Sequence, residues 1–297
     1  ITPSYRDMLA WYTFEDTSAT VTDVSGNGND AAVKGSGATM ADGVLTLPGG
    51  NSGSSAGYVE MPTGMFDGQD TLTIAAWMKN DTGAGNYAAL YFGRPLESGR
   101  AYPSQYWLCN PANPSGLFKS VITNSLNTGS PWTTEYGISP TNAGQGINGP
   151  ATSSDWAYYT TVIEADGISA YYNGRFVGEV DTSRTVSDFG SDLVAFIGRS
   201  PYADKFFKGS VRDLKIYAEA LTAQDVYADY YAGAGEDAVL AALEADRDAL
   251  SLPAITVEDL ELATSGANGS RISWATSNAA VITSGGAVTR PAVESAT

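Results

Sequence analysis

Aromatic and polar side chains concentrate between Gly93 and Ala151, a stretch without a clear strand rhythm. Sugars present flat C–H faces that pack on aromatic rings, while amide and guanidinium groups hydrogen-bond to their hydroxyls. The stretch supplies both kinds of group and therefore predicts a carbohydrate-binding site, unless a long loop simply packs its own rings onto a sheet. The candidate residues are Trp107, Trp132, Tyr106, Tyr136, Arg94 and Asn110. The loop SPYADKFF, with Tyr202 and Asp204, is a second candidate.

Several classes of chemistry are excluded by composition. The chain has no His, which removes Ser-His-Asp and Cys-His catalysis and His-based zinc sites. Cys109 is the single cysteine, so neither an internal disulfide nor a thiolate cluster can form. A glycosidase needs two carboxylates about 5 to 10 Å apart, and the 33 acidic residues do not single out such a pair. We therefore predict that this chain is not an enzyme.

Charge and hydropathy limit the partners. The 16 basic and 33 acidic residues give a net charge of −17, which argues against nucleic acid, because nucleic-acid binding needs a basic face. No run of 18 apolar residues occurs, so we expect no membrane insertion. The chain begins at Ile1 without Met or an apolar signal segment, and we interpret it as a processed or excised piece.

Many short strands are predicted up to about residue 217, separated by Gly, Asn, Asp, Ser and Pro. Several alternate apolar and polar residues, which is typical of half-buried strands. The Asn173-Gly174 pair predicts a tight hairpin, since both residues tolerate the positive φ of a type I′ turn. Strands at this spacing without intervening helices predict an antiparallel β-sandwich.

The pattern changes after the predicted sandwich. Leu221–Tyr231 has helical periodicity, with Thr222 as N-cap and Asp225 completing a capping box. A second helical stretch, which Pro253 ends, has an acidic face and predicts a connector. From Ile255 the pattern returns to strands. The predicted divisions are a sandwich over 1–233, a helical connector over 234–252 and a partial β domain over 253–297.

An ordered set of motifs resembles the laminin-G-like, concanavalin A-like superfamily. The set comprises WYTFED from Trp11, DVSGNGND from Asp23, TLTIAAWMK from Thr71 and GSVRDLKIY from Gly209. The resemblance covers about residues 5–233 and implies an antiparallel jelly-roll sandwich. Its order and spacing are similar to those of bacterial modules attached to secreted glycoside hydrolases.

This resemblance also implies a structural Ca²⁺, because such modules commonly bind one through acids near the first and last strands. Calcium takes six to eight oxygen ligands, which carboxylates and turn carbonyls can supply. The implied ligands are Glu15 or Asp16, Asn29 or Asp30, and Asp213. The alternative is that Asp23 and Asn29 only cap turns and that Asp213 pairs with Arg199 or Arg212.

The C-terminal stretch resembles reduced bacterial immunoglobulin-like domains. The motifs are LELATSGANGSRISWATSN from Leu260 and GAVTRP from Gly286. We expect the resemblance to break off before the domain ends. Together the two resemblances imply a non-catalytic accessory region of a secreted, arabinoside-directed bacterial glycoside hydrolase. Its partners would be a polysaccharide or glycan and a catalytic domain of the same polypeptide, outside this chain. The alternative is a scaffold or adhesion module that contacts protein.

Overall fold

Strands dominate the first part of the computed structural model, which describes residues 7–126, 129–268 and 270–290. Two compact units divide between Tyr230 and Tyr231. The elements in chain order are β1 (Met8–Tyr12), β2 (Thr20–Val21), β3 (Ala31–Lys34), β4 (Thr39–Ala41), β5 (Val44–Gly50), β6 (Tyr58–Met61), β7 (Leu72–Asn80), β8 (Leu90–Gly93), β9 (Tyr106–Asn110), β10 (Lys119–Thr123), β11 (Tyr136–Ile138), β12 (Gly146–Ile147), β13 (Ala157–Ile163), β14 (Gly167–Tyr172), β15 (Arg175–Asp181), β16 (Val194–Ile197), β17 (Phe206–Tyr217), α1 (Ala223–Ala234) and α2 (Glu236–Asp248).

The strands of the first unit form two sheets. One has the order β15-β14-β13-β7-β17-β5-β4, with β1 also paired to β17, and the other has the order β12-β11-β10-β9-β8-β16-β6-β3-β2. Every pairing is antiparallel except the short β11–β12 pair. The predicted antiparallel sandwich is confirmed. The stretch 93–151, which has no clear strand rhythm in its sequence, nevertheless contains β9 to β12.

Apolar side chains from both sheets fill the interior, because alternate residues along a strand face the same side. Phe92 and Trp107 face inward with ring centroids 5.3 Å apart, and Phe66 stacks on Phe92 at 4.2 Å. Phe207 of β17 is fully buried in the same core. Cys109 is 2% exposed, and burial raises the pKa of its thiol well above its ordinary value.

The hairpin predicted at Asn173-Gly174 joins β14 to β15. Asn173 has φ 52° and Gly174 has φ 74°, as the type I′ turn requires. The Asn173 side chain also accepts a hydrogen bond from the backbone N–H of Tyr158, at 2.8 Å. The turn is therefore tied to the neighbouring strand β13 as well as to its own hairpin.

A β-bulge interrupts β17 at Asp213. The register between β17 and β7 shifts between Arg212 and Lys215, and Asp213 has φ 51°, in the left-handed region. The Asp213 carboxylate accepts a hydrogen bond from Trp11 Nε1 at 2.6 Å and lies 3.1 Å from Lys215 Nζ. The bulge therefore connects the last strand of the sandwich to the first.

Helix α1 covers part of the outer face of the eight-stranded sheet. Thr222 and Asp225 exchange the reciprocal hydrogen bonds of the predicted capping box, at 3.1 and 3.3 Å. Leu221 and Val226 are buried against Tyr171 and Tyr217 of the sheet. Their apolar contacts fix the start of the helix on the sandwich.

Asp229 on α1 is buried and lies at the centre of a polar network. Its carboxylate accepts hydrogen bonds from Lys215 Nζ at 2.6 Å, from the Tyr158 hydroxyl at 2.8 Å and from the Tyr217 hydroxyl at 2.9 Å. Burial lowers the pKa of Lys215, but the carboxylates of Asp229 and Asp213 outweigh it and leave that pKa raised. All three donors come from the eight-stranded sheet, so the network holds α1 against it.

The second unit begins with the end of α1 and includes α2. Asp246 of α2 is 3% exposed and accepts hydrogen bonds from the backbone N–H groups of Asn268, at 2.7 Å, and Ser270, at 3.1 Å. The helical connector was predicted to have a solvated acidic face. Asp246 departs from that prediction, because it is buried and hydrogen-bonded within the second unit. The strands predicted from Ile255 are not found among the described residues, where only isolated bridges form, Ser265 with Arg271 and Ile282 with Val288.

No helix in the part of the chain that the structure describes is both long enough and apolar enough to cross a lipid bilayer.

Candidate functional site

The outer face of the nine-stranded sheet carries an unusual number of aromatic rings. Tyr91 and Tyr106 point away from the sandwich core, as neighbours of the inward-facing Phe92 and Trp107. Phe196 of β16 and Tyr202 pack on the same side. We call this layer of rings, with the fully buried Tyr91 and Tyr106 and the half-buried Phe196 and Tyr202, the outer aromatic face.

Three half-buried rings meet at one end of the outer aromatic face. The Tyr102 ring lies edge-on to Trp132, with centroids 5.0 Å apart, and Tyr202 lies 5.8 Å from Tyr102 and 6.3 Å from Trp132. Trp132 belongs to a short 3₁₀ turn at Pro131–Thr134. The other two come from the loops before β9 and before β17. We call Tyr102, Trp132 and Tyr202 the aromatic trio.

A hydrogen-bonded chain lies beneath the aromatic trio. The Tyr202 hydroxyl donates to the Tyr106 hydroxyl at 2.9 Å, and Tyr106 donates to Glu135 Oε1 at 2.8 Å. Lys119 Nζ and the Thr141 hydroxyl donate to Glu135 Oε2, at 2.6 and 3.3 Å. Glu135 is 1% exposed, so its charge is buried with a partner for each oxygen. These hydrogen bonds fix the orientation of the Tyr202 ring.

Burial and a nearby negative charge keep the tyrosine hydroxyls of this hydrogen-bond network neutral. Burial raises the pKa of Tyr106 and Tyr202 well above their ordinary values, and the Glu135 charge raises both further. Burial also raises the pKa of Asp204. The positive charge of Lys119 lowers that pKa, and the negative charge of Glu135 raises it. The surface therefore combines half-exposed rings with neutral phenols and a carboxylate at its edge. Such a set can stack on an apolar ring face and hydrogen-bond to hydroxyl groups.

The sequence candidates divide between this surface and the core. Trp132 belongs to the aromatic trio, and Tyr106 lies beneath it, fully buried. Trp107 is 2% exposed in the sandwich core, where its Nε1 donates to the Ser120 hydroxyl at 3.1 Å. The expectation that Trp107 offers a ring to a ligand is wrong, because its place on β9 turns it inward.

The other three candidates lie away from the aromatic trio. Arg94 is occupied by Glu97 at 3.1 Å and by Gln105 at 3.3 Å. Asn110 is 2% exposed, and its side chain hydrogen-bonds to backbone atoms of two loop residues. Tyr136 is cross-strand partner to the core residue Ile122 and therefore faces the core side of the sheet. Its ring lies under the Arg184 guanidinium, at 3.8 Å.

Several residues of the site were not among the candidates predicted from the stretch between Gly93 and Ala151. Lys119 was not a candidate, and Glu135 was only an isolated acid among 33. Tyr202 and Asp204 were assigned to a separate candidate loop, which the fold brings to the same surface as Trp132. A signal was available at Glu135, which lies between Trp132 and Tyr136 and is the single charged residue between Lys119 and Asp155 in the sequence.

The Asp23 carboxylate closes the turn that lies next to the implied calcium ligands. Its carboxylate accepts backbone hydrogen bonds from Trp11 and Ser25, each at 2.9 Å, and from Asn29 at 3.0 Å. Burial alone raises its pKa, but the hydrogen bonds from Ser25, Trp11 and Asn29 outweigh burial and hold that pKa below the ordinary value. The turn is therefore closed by protein donors, as the capping alternative requires.

The implied calcium ligands other than Glu15 are likewise engaged by protein groups, and Asp30 accepts a hydrogen bond from the backbone N–H of Asp23 at 2.8 Å. Asp16 accepts from the backbone and hydroxyl of Thr22, at 2.9 and 2.6 Å. The Asn29 side chain donates to a backbone carbonyl, Glu15 is exposed, and Asp213 binds Trp11 and Lys215 rather than an arginine. Across 7–126, 129–268 and 270–290, no group of three or more His, Cys, Asp or Glu is placed to hold a metal ion. The Ca²⁺ ion stays an untested prediction.

Comparison with solved structures places this architecture among sugar-complexed and toxin domains. The chain is similar to domain 4 of AbnA, a GH43 extracellular arabinanase from Geobacillus stearothermophilus, in complex with arabinotriose. That match has 18% identity and a TM-score of 0.56, and covers 75% of this chain and 97% of the other.

Botulinum neurotoxins give two further matches. One is type C, whose cell entry depends on interaction with two ganglioside molecules, with 13% identity, a TM-score of 0.52 and coverage of 75% of this chain and 50% of that one. The other is the binding domain of neurotoxin DC in complex with SialylT, with 15% identity, a TM-score of 0.51 and coverage of 76% and 51%. The chain thus spans about half of these toxin chains. At such identities the matches establish a common fold.

Family models give the assignment. No curated protein matches the chain. The model of the atrophied bacterial Ig domain matches residues 237–297, starting within α2. The model of the concanavalin A-like lectin/glucanases superfamily matches residues 52–227, more than half of the chain. Both resemblances inferred from the motifs are confirmed, and the chain belongs to the concanavalin A-like lectin/glucanases superfamily, with an atrophied bacterial Ig domain following the sandwich.

Proposed function

We propose that the first unit is a non-catalytic carbohydrate-binding module whose ligand stacks on the aromatic trio. The observation that carries this proposal is the meeting of Trp132, Tyr102 and Tyr202 on a sheet face, each ring half-buried. A half-buried ring keeps an accessible surface while its position is fixed by packing. Because the rings are already held in place, their side chains lose little conformational entropy when a ligand binds.

Hydrogen-bonding groups beside the rings support the same function. The Asp204 carboxylate, on the same loop as Tyr202, supplies an acceptor for sugar hydroxyls. The Tyr202–Tyr106 hydrogen bond and the Lys119–Glu135 ion pair hold the rings in place from below. The fold is also that of domain 4 of AbnA in complex with arabinotriose. These points favour a plant-type oligosaccharide, with arabinosides first.

Hydrolysis by this surface is disfavoured by the state of its carboxylates. A glycosidase needs one acid with a free proton and a second carboxylate free to act as base or nucleophile. Glu135 has both oxygens occupied, by Tyr106 on one side and by Lys119 and Thr141 on the other. Asp204 alone has a raised pKa here. We infer that the surface binds a glycan without cleaving it.

The wider context is part of the proposal. A binding module of this kind would act as an accessory region of a secreted bacterial glycoside hydrolase, on the same polypeptide as its catalytic domain. It would hold that domain on polysaccharide outside the cell. The structural alternative, a scaffold that contacts a neighbouring protein, is the interpretation that remains if no glycan binds.

Isothermal titration with arabinan, arabinogalactan and xylan oligosaccharides tests the proposal. We expect binding to at least one of them, and Trp132→Ala to weaken it about 10- to 100-fold, as for a central stacking residue. Trp156→Ala is the matched control, because Trp156 is also half-buried but lies beneath Arg212 on the other sheet. Absence of heat with all three glycans, or equal effects of the two substitutions, would contradict the proposal. Release of reducing sugar would contradict its non-catalytic part.

A further inference from the structure

Arg199 lies on a bed of three aromatic rings at the other end of the outer aromatic face. Its guanidinium carbon is 4.8 Å from the Tyr58 ring centroid, 5.0 Å from Phe206 and 5.4 Å from Phe196. Tyr58 in turn lies edge-on to both Phe196 and Phe206. A guanidinium packed on rings in this way is held in one plane.

This guanidinium has no acidic partner within 4.0 Å among the described residues, although the chain carries 33 acids and a net charge of −17. Its Nε is buried without a hydrogen-bond partner, whereas the rest of the side chain is half-buried. Asp213, which the sequence offered as a partner, is engaged by Trp11 and Lys215. Glu60 pairs in register with Phe196 beside it, yet forms no ion pair with Arg199.

Arg199 and the aromatic trio are linked through one layer of packed rings. Ring contacts join Phe196 to Tyr91 at 6.2 Å, Tyr91 to Tyr106 at 5.8 Å, and Tyr106 to Tyr202 at 5.6 Å, with Tyr91 and Tyr106 fully buried. Arg199 and Tyr202 also belong to the same loop between β16 and β17. An oligosaccharide stacked on the trio and extending along the face would reach Arg199.

We propose that Arg199 recognises the carboxylate of an acidic sugar, a uronic acid residue, within the glycan bound by the outer aromatic face. A guanidinium presents a planar fork of N–H donors that matches a carboxylate with two parallel hydrogen bonds. The aromatic bed supplies the fixed plane and a partly desolvated surrounding, where a charged hydrogen bond gains strength. This inference rests on the proposed function and adds a charge requirement to it.

The experiment compares two ligands that differ only in charge. Oligogalacturonate and its fully methyl-esterified form are titrated into the full chain, with a sulfated galactan oligosaccharide as a third probe. We expect the acid form to bind more tightly than the ester, and Arg199→Gln to weaken the acid form about tenfold or more while leaving the ester unchanged. Arg199→Lys, which keeps the charge without the fork, should lie between the two.

Arg212→Gln is the matched control, because Arg212 lies over Trp77 and Trp156 on the other sheet, at 4.7 and 5.2 Å. It should leave the preference for the acid form intact. Equal affinity for acid and ester, or a preference that survives Arg199→Gln in a folded variant, overturns the inference. So does Arg199-dependent binding of the sulfated probe alone. If arabinan still binds through Trp132 in these cases, the proposed function stands, whereas absence of binding to every glycan overturns both.

Discussion

Lys215 Nζ lies 2.6 Å from the Asp229 carboxylate, in an ion pair that joins β17 to helix α1. Both side chains are buried, and two tyrosine hydroxyls share the same carboxylate. A buried charge without a partner is costly, so each member of this network depends on the others. The attachment of α1 to the sandwich is therefore ionic as well as apolar.

Asp229→Ala should lower the free energy of unfolding by about 3 to 5 kcal/mol, because it leaves two buried hydroxyls without their acceptor and the buried Lys215 ammonium with Asp213 as its remaining acidic partner. Chemical denaturation of the full chain measures the loss. Asp225→Ala on the same helix is the control, since Asp225 is half-buried at the start of the helix and its capping role is worth about 1 kcal/mol. Similar losses for the two variants would contradict the importance of the network.

Acid should destabilise the first unit through Asp23. Because its pKa in the folded chain is below the ordinary value of 3.8, the charged form adds stability above that pH. The contribution is lost as the pH falls through the lower, folded-state pKa. Asp23→Asn should cost about 1 to 3 kcal/mol at pH 7, because one carboxylate oxygen that accepts backbone hydrogen bonds is replaced.

Melting temperature measured from pH 7 down to pH 2 checks this dependence. The difference between wild type and Asp23→Asn should shrink in the acid range. Asp81→Asn, at an exposed position, serves as the control and should follow the wild type throughout. A constant gap between wild type and Asp23→Asn at every pH would rule out titration of Asp23 as the cause.

Asp204 should behave in the opposite sense. Burial raises its pKa, so its charged form is disfavoured in the folded chain, and this penalty disappears as the pH falls below 3.8. Asp204→Asn should therefore raise the melting temperature by a few degrees at pH 7 and have little effect near pH 3. A destabilising effect at pH 7 would mean that the Asp204 charge has a favourable partner instead.

Calcium removal offers a direct test of the ion that the family resemblance implies. Since Asp16, Asp23 and Asp213 are already engaged by protein donors, we expect a chelator to leave the melting temperature unchanged. Thermal unfolding with excess EDTA and then with millimolar Ca²⁺ makes the comparison. A rise in melting temperature with Ca²⁺ would show that these carboxylates rearrange around an ion and would restore the original expectation.

The sandwich was predictable because its signals are local. The Asn173-Gly174 turn and the Thr222–Asp225 capping box each depend on residues at most three positions apart, and both form as predicted. The strand β9 was missed for the converse reason. Leu108 and Cys109 are both buried, on opposite faces of the sheet, so the strand lacks the apolar–polar alternation that reveals a half-buried strand.

The candidate site was only partly predictable, because long-range packing assembles it. Trp132 and Tyr202 are 70 positions apart, and no pattern in the sequence indicates that β16 and β17 bring their loop beside the 3₁₀ turn. The inward direction of Trp107 depends on strand register, which a stretch rich in Pro, Asn and Gly conceals. Residue type therefore identified the kind of surface, while topology decided which rings form it.

The inward position of Cys109 has a practical consequence for spectroscopy. The only thiol of the chain is sealed in the core, and its raised pKa keeps it protonated and slow to react. A cysteine introduced at a chosen surface position would thus be the one site that takes a maleimide dye or spin label under native conditions. Distances and glycan-induced changes can then be followed on this chain without first removing its natural cysteine.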